Sequence, residues 1–235
     1  MTITFTNLGA SADPPDINAS TDAALYTNSI WTPPTSGLII VGVWNRAATP
    51  GTPTISGNGL TWEEIATITV VTVQKLTLFG ANASGSSIGV TTIDFALATQ
   101  IGCRASFFLA EGVDLSSGVA AAFVQTPTNT GDSVGSLSIT LAPASHADNR
   151  PIVVFGHASN EVTTPRTDWD EMDDLPNNAP NFCVETQARD DAFETTASAS
   201  WANPGVAALG IAAELKALIA AGTTRKFQRA SILGV

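Results

Sequence analysis

The side chains that most often carry chemistry are few in this sequence and poorly spaced for it. His146 and His157 are the only histidines. Neither stands at a nucleophile or metal spacing from a Ser, Cys or Asp, and Gly-x-Ser-x-Gly, His-Glu-x-x-His and a phosphate-cradling glycine loop are all missing. A hydrolase built on an imidazole base is therefore not expected, and His157, at the end of a strand, reads as a structural or surface residue. The one acidic cluster is Asp168-Trp-Asp-Glu-Met-Asp-Asp174, and hard cations such as Ca²⁺ are held by carboxylates converging from one loop. Its spacing is not that of an EF-hand and it lacks the turn glycine. It reads as a solvated acidic loop around a core tryptophan, with cation binding left open. No metal and no cofactor is expected. Two carboxylates facing one another for glycoside cleavage have no signature in sequence spacing, and nothing singles out such a pair among the 21 acids.

Five tryptophans, at 31, 44, 62, 169 and 201, raise a carbohydrate-binding reading, because sugar rings stack on exposed aromatic faces. Trp44 lies in an apolar strand, and Trp62 and Trp169 occupy matching places in a repeat described below, so these three belong to the core. Trp31 and Trp201 stay as candidate glycan-stacking residues. Cys103 and Cys183 lie in apolar, strand-like stretches where a free thiol packs as a small hydrophobe; two cysteines make no framework, and their pairing is left open. Asn18-Ala-Ser20 and Asn82-Ala-Ser84 fit a glycosylation pattern that has no meaning without export.

Ten basic residues against 21 acidic ones give a net charge of −11. Phosphate contacts need clustered Lys and Arg, so no nucleic-acid partner is expected. The charge is unevenly placed. Arg225, Lys226 and Arg229 fall in the last eleven residues and no acid follows Glu214, so seven bases against 21 acids leave the body at −14 with a +3 tail. That tail, Thr223 to Val235, also carries Phe227, Ile232 and Leu233 as apolar anchors. It is either a frayed terminus or an arm that orders on a neighbour by adding a strand or lying in an acidic groove. The hydrophobic fraction is 44%, yet no apolar run approaches the ~20 residues of a membrane span, and no membrane contact is expected. The first residues alternate like a strand and lack a basic or apolar leader, so the chain is expected to fold in the cytoplasm that makes it.

The elements that must position these residues are strands. Gly37 to Trp44, Ala66 to Val73, Leu76 to Phe79, Ala105 to Leu109 and Pro151 to Phe155 are short, rich in β-branched or aromatic residues, and bounded by Gly, Pro, Asn or Ser. Helical periodicity is scarce; Val206 onward is Ala- and Leu-rich but its first part reads as a strand. The two halves echo each other in order. Ile39 aligns with Ile152 at an offset of 113, Trp62 with Trp169 at 107, and Leu76 with Phe182 at 106, a drift that loop-length changes produce. Thr92 to Phe95 then aligns with Ser198 to Trp201, and Arg104 to Glu111 with Ala208 to Lys216. The expected fold is an all-β, jelly-roll-like antiparallel sandwich from two duplicated halves of about five strands, residues 1–115 and 116–222, followed by the basic arm 223–235. One domain is preferred because no linker stands out; two separate small sandwiches are the competing arrangement.

Trp31-Thr-Pro-Pro-Thr-Ser-Gly-Leu-Ile-Ile-Val-Gly-Val, Ile55-Ser-Gly-Asn-Gly-Leu-Thr-Trp62, Leu78-Phe-Gly-Ala and Phe108-Leu-Ala-Glu-Gly-Val-Asp114 resemble β-sandwich proteins of bacteriophage structural modules, over most of the chain. The resemblance implies a virion surface protein of the head or tail, folded in the host cytoplasm and attached by assembly, with no catalytic residue. The expectation is a capsid decoration or cement protein on the outer head shell, with the major capsid protein and copies of itself as partners, in a trimer or other cyclic homo-oligomer. A tail or fibre domain recognising host carbohydrate through Trp31 or Trp201 is the alternative.

Overall fold

Leu38-Ile-Ile-Val-Gly-Val-Trp44 is dense in β-branched residues, which pack well on a pleated surface and lose rotamer freedom in a helix, and it forms the middle of an antiparallel sheet. The same holds for Ile152-Val-Val-Phe155 in the second half. The computed structural model describes residues 2–9, 15–71, 73–178 and 180–219. The first half contributes β1 (Thr4–Asn7), β2 (Ile17–Ala19), β3 (Leu25–Thr27), β4 (Leu38–Arg46), β5 (Thr54–Gly57), β6 (Trp62–Val70), β7 (Gln74–Asn82), β8 (Thr91–Asp94) and β9 (Gly102–Glu111). The second contributes β10 (Phe123–Gln125), β11 (Thr128–Val134), β12 (Ser136–Thr140), β13 (Arg150–His157), β14 (Thr164–Pro165), β15 (Asp170–Asn178), β16 (Asn181–Ala188), β17 (Thr196–Ser200) and β18 (Val206–Leu215).

These strands make four antiparallel sheets, and the second half retraces the first. One large sheet runs β1-β9-β4-β7-β6 with β2 also on β9; the other runs β10-β18-β13-β16-β15 with β11 also on β18. The small sheets are β3-β8-β5 and β12-β17-β14. Three apolar clusters stack these sheets into four layers. Tyr26, Trp31, Ile55, Ile93 and Phe95 of the first small sheet and its flanks pack on Ile39, Val41, Phe79 and Phe107 of its large sheet. The second half repeats this with Leu137, Ile139, Ala197 and Trp201 on Val153, Phe155 and Ala208. The remaining faces of the two large sheets meet in a shared core of Leu38, Ile40, Trp44, Leu76 and Phe108 with Ile152, Val154, Phe182, Leu209 and Ile211. Both large sheets are thus buried on both faces, which is why their central strands read as unbroken apolar runs.

The pairing register corrects two alignments, one of them that of β9, whose Arg104 to Glu111 corresponds to Ala207 to Glu214 rather than to Ala208 to Lys216. Val41 pairs with Phe79 and Phe107, and Phe155 with Glu185 and Gly210, so β4 and β13 are related by an offset of 114. Leu38, not Ile39, is the counterpart of Ile152, and Gly42 that of Gly156. The difference matters because side chains alternate in a strand: Ile39 faces its own small sheet and Ile152 the shared core. The offset of 106 for Leu76 and Phe182 holds, and both face the shared core. The supposed acidic loop is corrected too. Asp170 to Asn178 is the edge strand β15, paired along its length with β16.

Candidate functional site

The sequence-predicted stacking residues are not available to a sugar. Trp31 is 3% exposed and Trp201 7%. Trp31 lies edge-on to Phe107 at 5.8 Å and its indole N–H donates to Thr91 Oγ1. Trp201 stacks on the His157 ring at 4.5 Å and donates to the Val134 carbonyl. Both close the open sides of their sandwiches, so their flat faces are spent on packing, and the carbohydrate reading loses the residues it rested on. Trp44 and Trp169 are buried, and Trp62 is half-buried against the first sandwich core. Arg225, Lys226, Phe227, Arg229, Ile232 and Leu233 of the basic arm lie outside the described residues.

The internal duplication shows where the second half departs from a plain apolar core. In the first sandwich the cross-strand pairs Val43 with Thr77, Val41 with Phe79 and Ile39 with Ala81 line the interior. At the same places the second has His157 with Cys183, Phe155 with Glu185 and Val153 with Gln187. His157 Nε2 lies 3.0 Å from Thr163 Oγ1, the Cys183 thiol donates to Asp174 Oδ1 at 2.6 Å, and Thr163 N–H donates to Asp174 Oδ2. Gln187 Nε2 donates to Glu185 Oε1 and to the Ser198 carbonyl. Burial lowers His157 to about 4, keeping its imidazole neutral, and burial with the neighbouring Asp174 pushes the Cys183 thiol up. A neutral histidine beside a protonated thiol is not an activated nucleophile, since the thiolate is the attacking form. Burial raises Glu185 to about 8, so this carboxyl is a proton store rather than a charge.

A second polar group lies where the halves meet. Arg104, on β9, is 1% exposed; its guanidinium sits 5.0 Å over the Phe182 ring, which stacks on Trp44 at 4.0 Å. Only its Nη2 finds a protein acceptor, the Pro176 carbonyl. Two residues on, Ser106 Oγ donates to Asp173 Oδ2, and the Phe107 N–H donates to Asp16 Oδ1 at 3.0 Å. Asn7 Nδ2 reaches the Met172 carbonyl. Burial first and the Asp173 charge second raise Asp16 to about 7. Burial likewise raises Asp173, Asp174 and Glu171 and lowers Arg104 to about 10.

Of the acidic cluster, Asp173 and Asp174 therefore turn inward, while Asp170 and Glu171 face solvent. Among the described residues no three His, Cys, Asp or Glu side chains converge as a metal site requires. Cys103 and Cys183 are both free and buried. Sequence reading missed Asp16, Arg104, Ser106, Glu185 and Gln187. The signal was present in part: Arg104 and Ser106 share one face of an otherwise apolar strand, and Glu185 and Gln187 another. Two shallow cavities accompany these groups. One, of about 190 Å³, lies between β1 and β15 and is lined by Phe5, Asp170, Met172, Ala188 and Asp190. The other, about 200 Å³, lies between Ser36–Gly37 and Glu111–Val113. Both fall below the size at which small-molecule sites begin.

The outermost layers contrast with each other. Along β3, β5 and β8, Tyr26, Ile55 and Ile93 point inward and Leu25, Thr27, Thr54, Ser56, Thr92 and Asp94 outward; Ile30, Ile88 and Val90 extend this outer face. Leu25, Ile30 and Ile88 are each more than half exposed. On β12, β14 and β17 the outward residues are Ser136, Ser138, Thr140, Thr164, Thr196, Ser198 and Ser200. In a chain of net charge −11, the strands of both small sheets carry a single charged residue, Asp94. No family model matches the chain, and comparison with curated proteins and with solved structures finds no match.

Proposed function

We propose that the chain is a phage virion structural protein, a capsid decoration or cement protein seated on the outer head shell, without catalytic activity. The observation that carries this reading is the unlike character of the two outer faces of one four-layer slab. The first small sheet offers Leu25, Ile30, Ile88 and Val90 with almost no charge, a surface that gains by being dried against a partner. Along its strands the second offers only hydroxyls, which lose nothing by staying wet. A protein that lies between a particle and solvent needs this polarity, and the acid-rich remainder keeps free copies apart before docking. The residue strings quoted above add the phage assignment, and the basic arm 223–235 supplies a second contact, to the shell or to a neighbouring copy in a cyclic oligomer.

The test is rebinding to particles that lack the protein, with copy number read by quantitative mass spectrometry. Hundreds of copies per particle, and restored resistance to heat and osmotic shock, are expected. The variant Ile30→Asp/Ile88→Asp and the deletion of residues 223–235 should each lower occupancy at least tenfold while the thermal melt of the free protein stays unchanged. A few copies per particle, or full occupancy by both variants, would remove the shell reading.

A further inference from the structure

Two carboxyls from opposite halves are anchored to consecutive residues of one strand: Asp173 of β15 to Ser106 Oγ, and Asp16 to the Phe107 N–H. Among the described residues, the charged groups beside them are Asp174 and Glu171 of β15 and Arg104 of β9; β1 and β2 bring no titratable group, and Cys183, Glu185 and His157 lie across the sheet, inside the second sandwich. Asp173 thus has one guanidinium near it, and that guanidinium spends its single protein hydrogen bond on a carbonyl. The rim is also loosely filled, since the cavity of about 190 Å³ separates Phe5 from Asp170 and Met172.

We infer that this edge, where β15 and β16 lie over β1 and β9, is a proton-operated seam: closed while its carboxyls hold protons, and loosened when Asp16 and Asp173 ionise together. Like charges on adjacent anchors repel in a half-buried site that screens them less than open water does, and among the described residues no second base is at hand to compensate. The unloading pushes β15 outward, because it is an edge strand held on one side only, by β16. Each raised carboxyl keeps its proton in the folded chain at a pH where the unfolded chain has lost it. Its contribution to stability is complete below the ordinary carboxylate range, declines as pH rises, and is gone above about 7 for Asp16 and about 8 for Glu185. Asp114, which accepts from Ser116 and faces Lys216, and Asp191, beside Arg189, are shifted the opposite way and act only at lower pH. Glu185, inside the second sandwich, titrates toward the top of the window from pH 5 to 8, so the seam is read there from local protection rather than from the melt alone.

The experiment is hydrogen exchange of the full-length chain between pH 5 and 8, corrected for intrinsic exchange, with thermal melts in parallel. Protection of residues 102–107 and 170–178 should fall at least tenfold more than that of β3 and β8, and the melting temperature should drop as pH rises. In the isosteric variant Asp16→Asn/Asp173→Asn the excess loss of protection should disappear and the melting slope should lessen to the share left by Glu185, with the gain over wild type confined to the upper end of the window. Uniform protection across the chain, or a melting temperature that holds or rises toward pH 8, would overturn the inference without the variant. An unchanged slope in a folded variant would also overturn it. Shell binding does not enter either readout, so the outcome is separate from that of the particle assay.

Discussion

Gly42 and Gly156 occupy the same place in the two halves, and each marks where the opposite large sheet comes closest. A Cβ on Gly42 would lie 2.7 Å from Val154 Cγ1; one on Gly156 would lie 2.5 Å from Trp44 Cδ1. At Gly42 the added Cβ meets the methyls of one valine, Cγ1 at 2.7 Å and Cγ2 at 3.1 Å, whereas at Gly156 it meets a large ring, Trp44, that is fully buried and stacked on Phe182. Gly156→Ala should therefore cost about 2–3 kcal/mol and Gly42→Ala about 1 kcal/mol, since overpacking a filled core forces side chains off their rotamers. Urea midpoints at constant slope measure both, and equal costs would mean that the two sheets retain slack at Trp44. These glycines also explain a failure of sequence reading. Both sit fifth in an apolar run, Leu38-Ile-Ile-Val-Gly and Ile152-Val-Val-Phe-Gly, and would have set the register. The runs themselves could not, because strands buried on both faces show no alternation from which to read a face. The same double burial hid Glu185, whose carboxyl is buried in its neutral form; Trp31 and Trp201 lie instead beside the small sheets, where no apolar run marks their burial.

At the scale of elements, β6 and β15 are the outer strands of the two large sheets, and each contains one bulge three residues after a tryptophan. In β6 the pairing steps from Glu64 with Phe79 to Ala66 with Leu78, leaving Ile65 extra; in β15 it steps from Glu171 with Gln187 to Asp173 with Thr186, leaving Met172 extra. Measured against β16, the second bulge lies two residues further along its partner than the first does along β7. The bulge lets Trp62 face the small sheet while Ile65, Ala66 and Ile68 face the shared core. Deleting Ile65 should restore even pairing and so turn Trp62 to the wrong face. The loss expected is about 3 kcal/mol, comparable to removing a large aromatic from a core. A melting temperature within a few degrees of wild type would show that the strand re-registers without cost. The long strands of each half were legible because their composition is that of buried sheet. β15 was not, since Asp, Asn and Pro are depleted in strands; on an edge, however, charge and proline protect unpaired backbone from foreign strands.

For the whole molecule, the duplication decides how the chain folds. Each half has its own inner core, between its small and large sheets, but the third core belongs to neither alone: Leu38, Ile40, Trp44 and Phe108 share it with Ile152, Val154, Phe182 and Ile211. The halves are also joined at the backbone, where Val113 bridges Ala217, Asp114 N–H donates to the Lys216 carbonyl and Leu218 N–H to that of Gly112. A fragment 1–115 or 116–235 made by itself would present a six-stranded apolar face to water, far beyond the patch a monomer tolerates. Each fragment alone should therefore aggregate or melt without cooperativity. Produced together, they should recover a soluble 1:1 complex with one cooperative transition, because the interface is the larger part of a core rather than a surface contact. Size-exclusion chromatography with light scattering, followed by calorimetry of the complex, measures this. If either fragment alone unfolds cooperatively at the temperature of the intact chain, the two sandwiches are independent units. The proton-operated seam would then separate finished halves rather than strain one shared core.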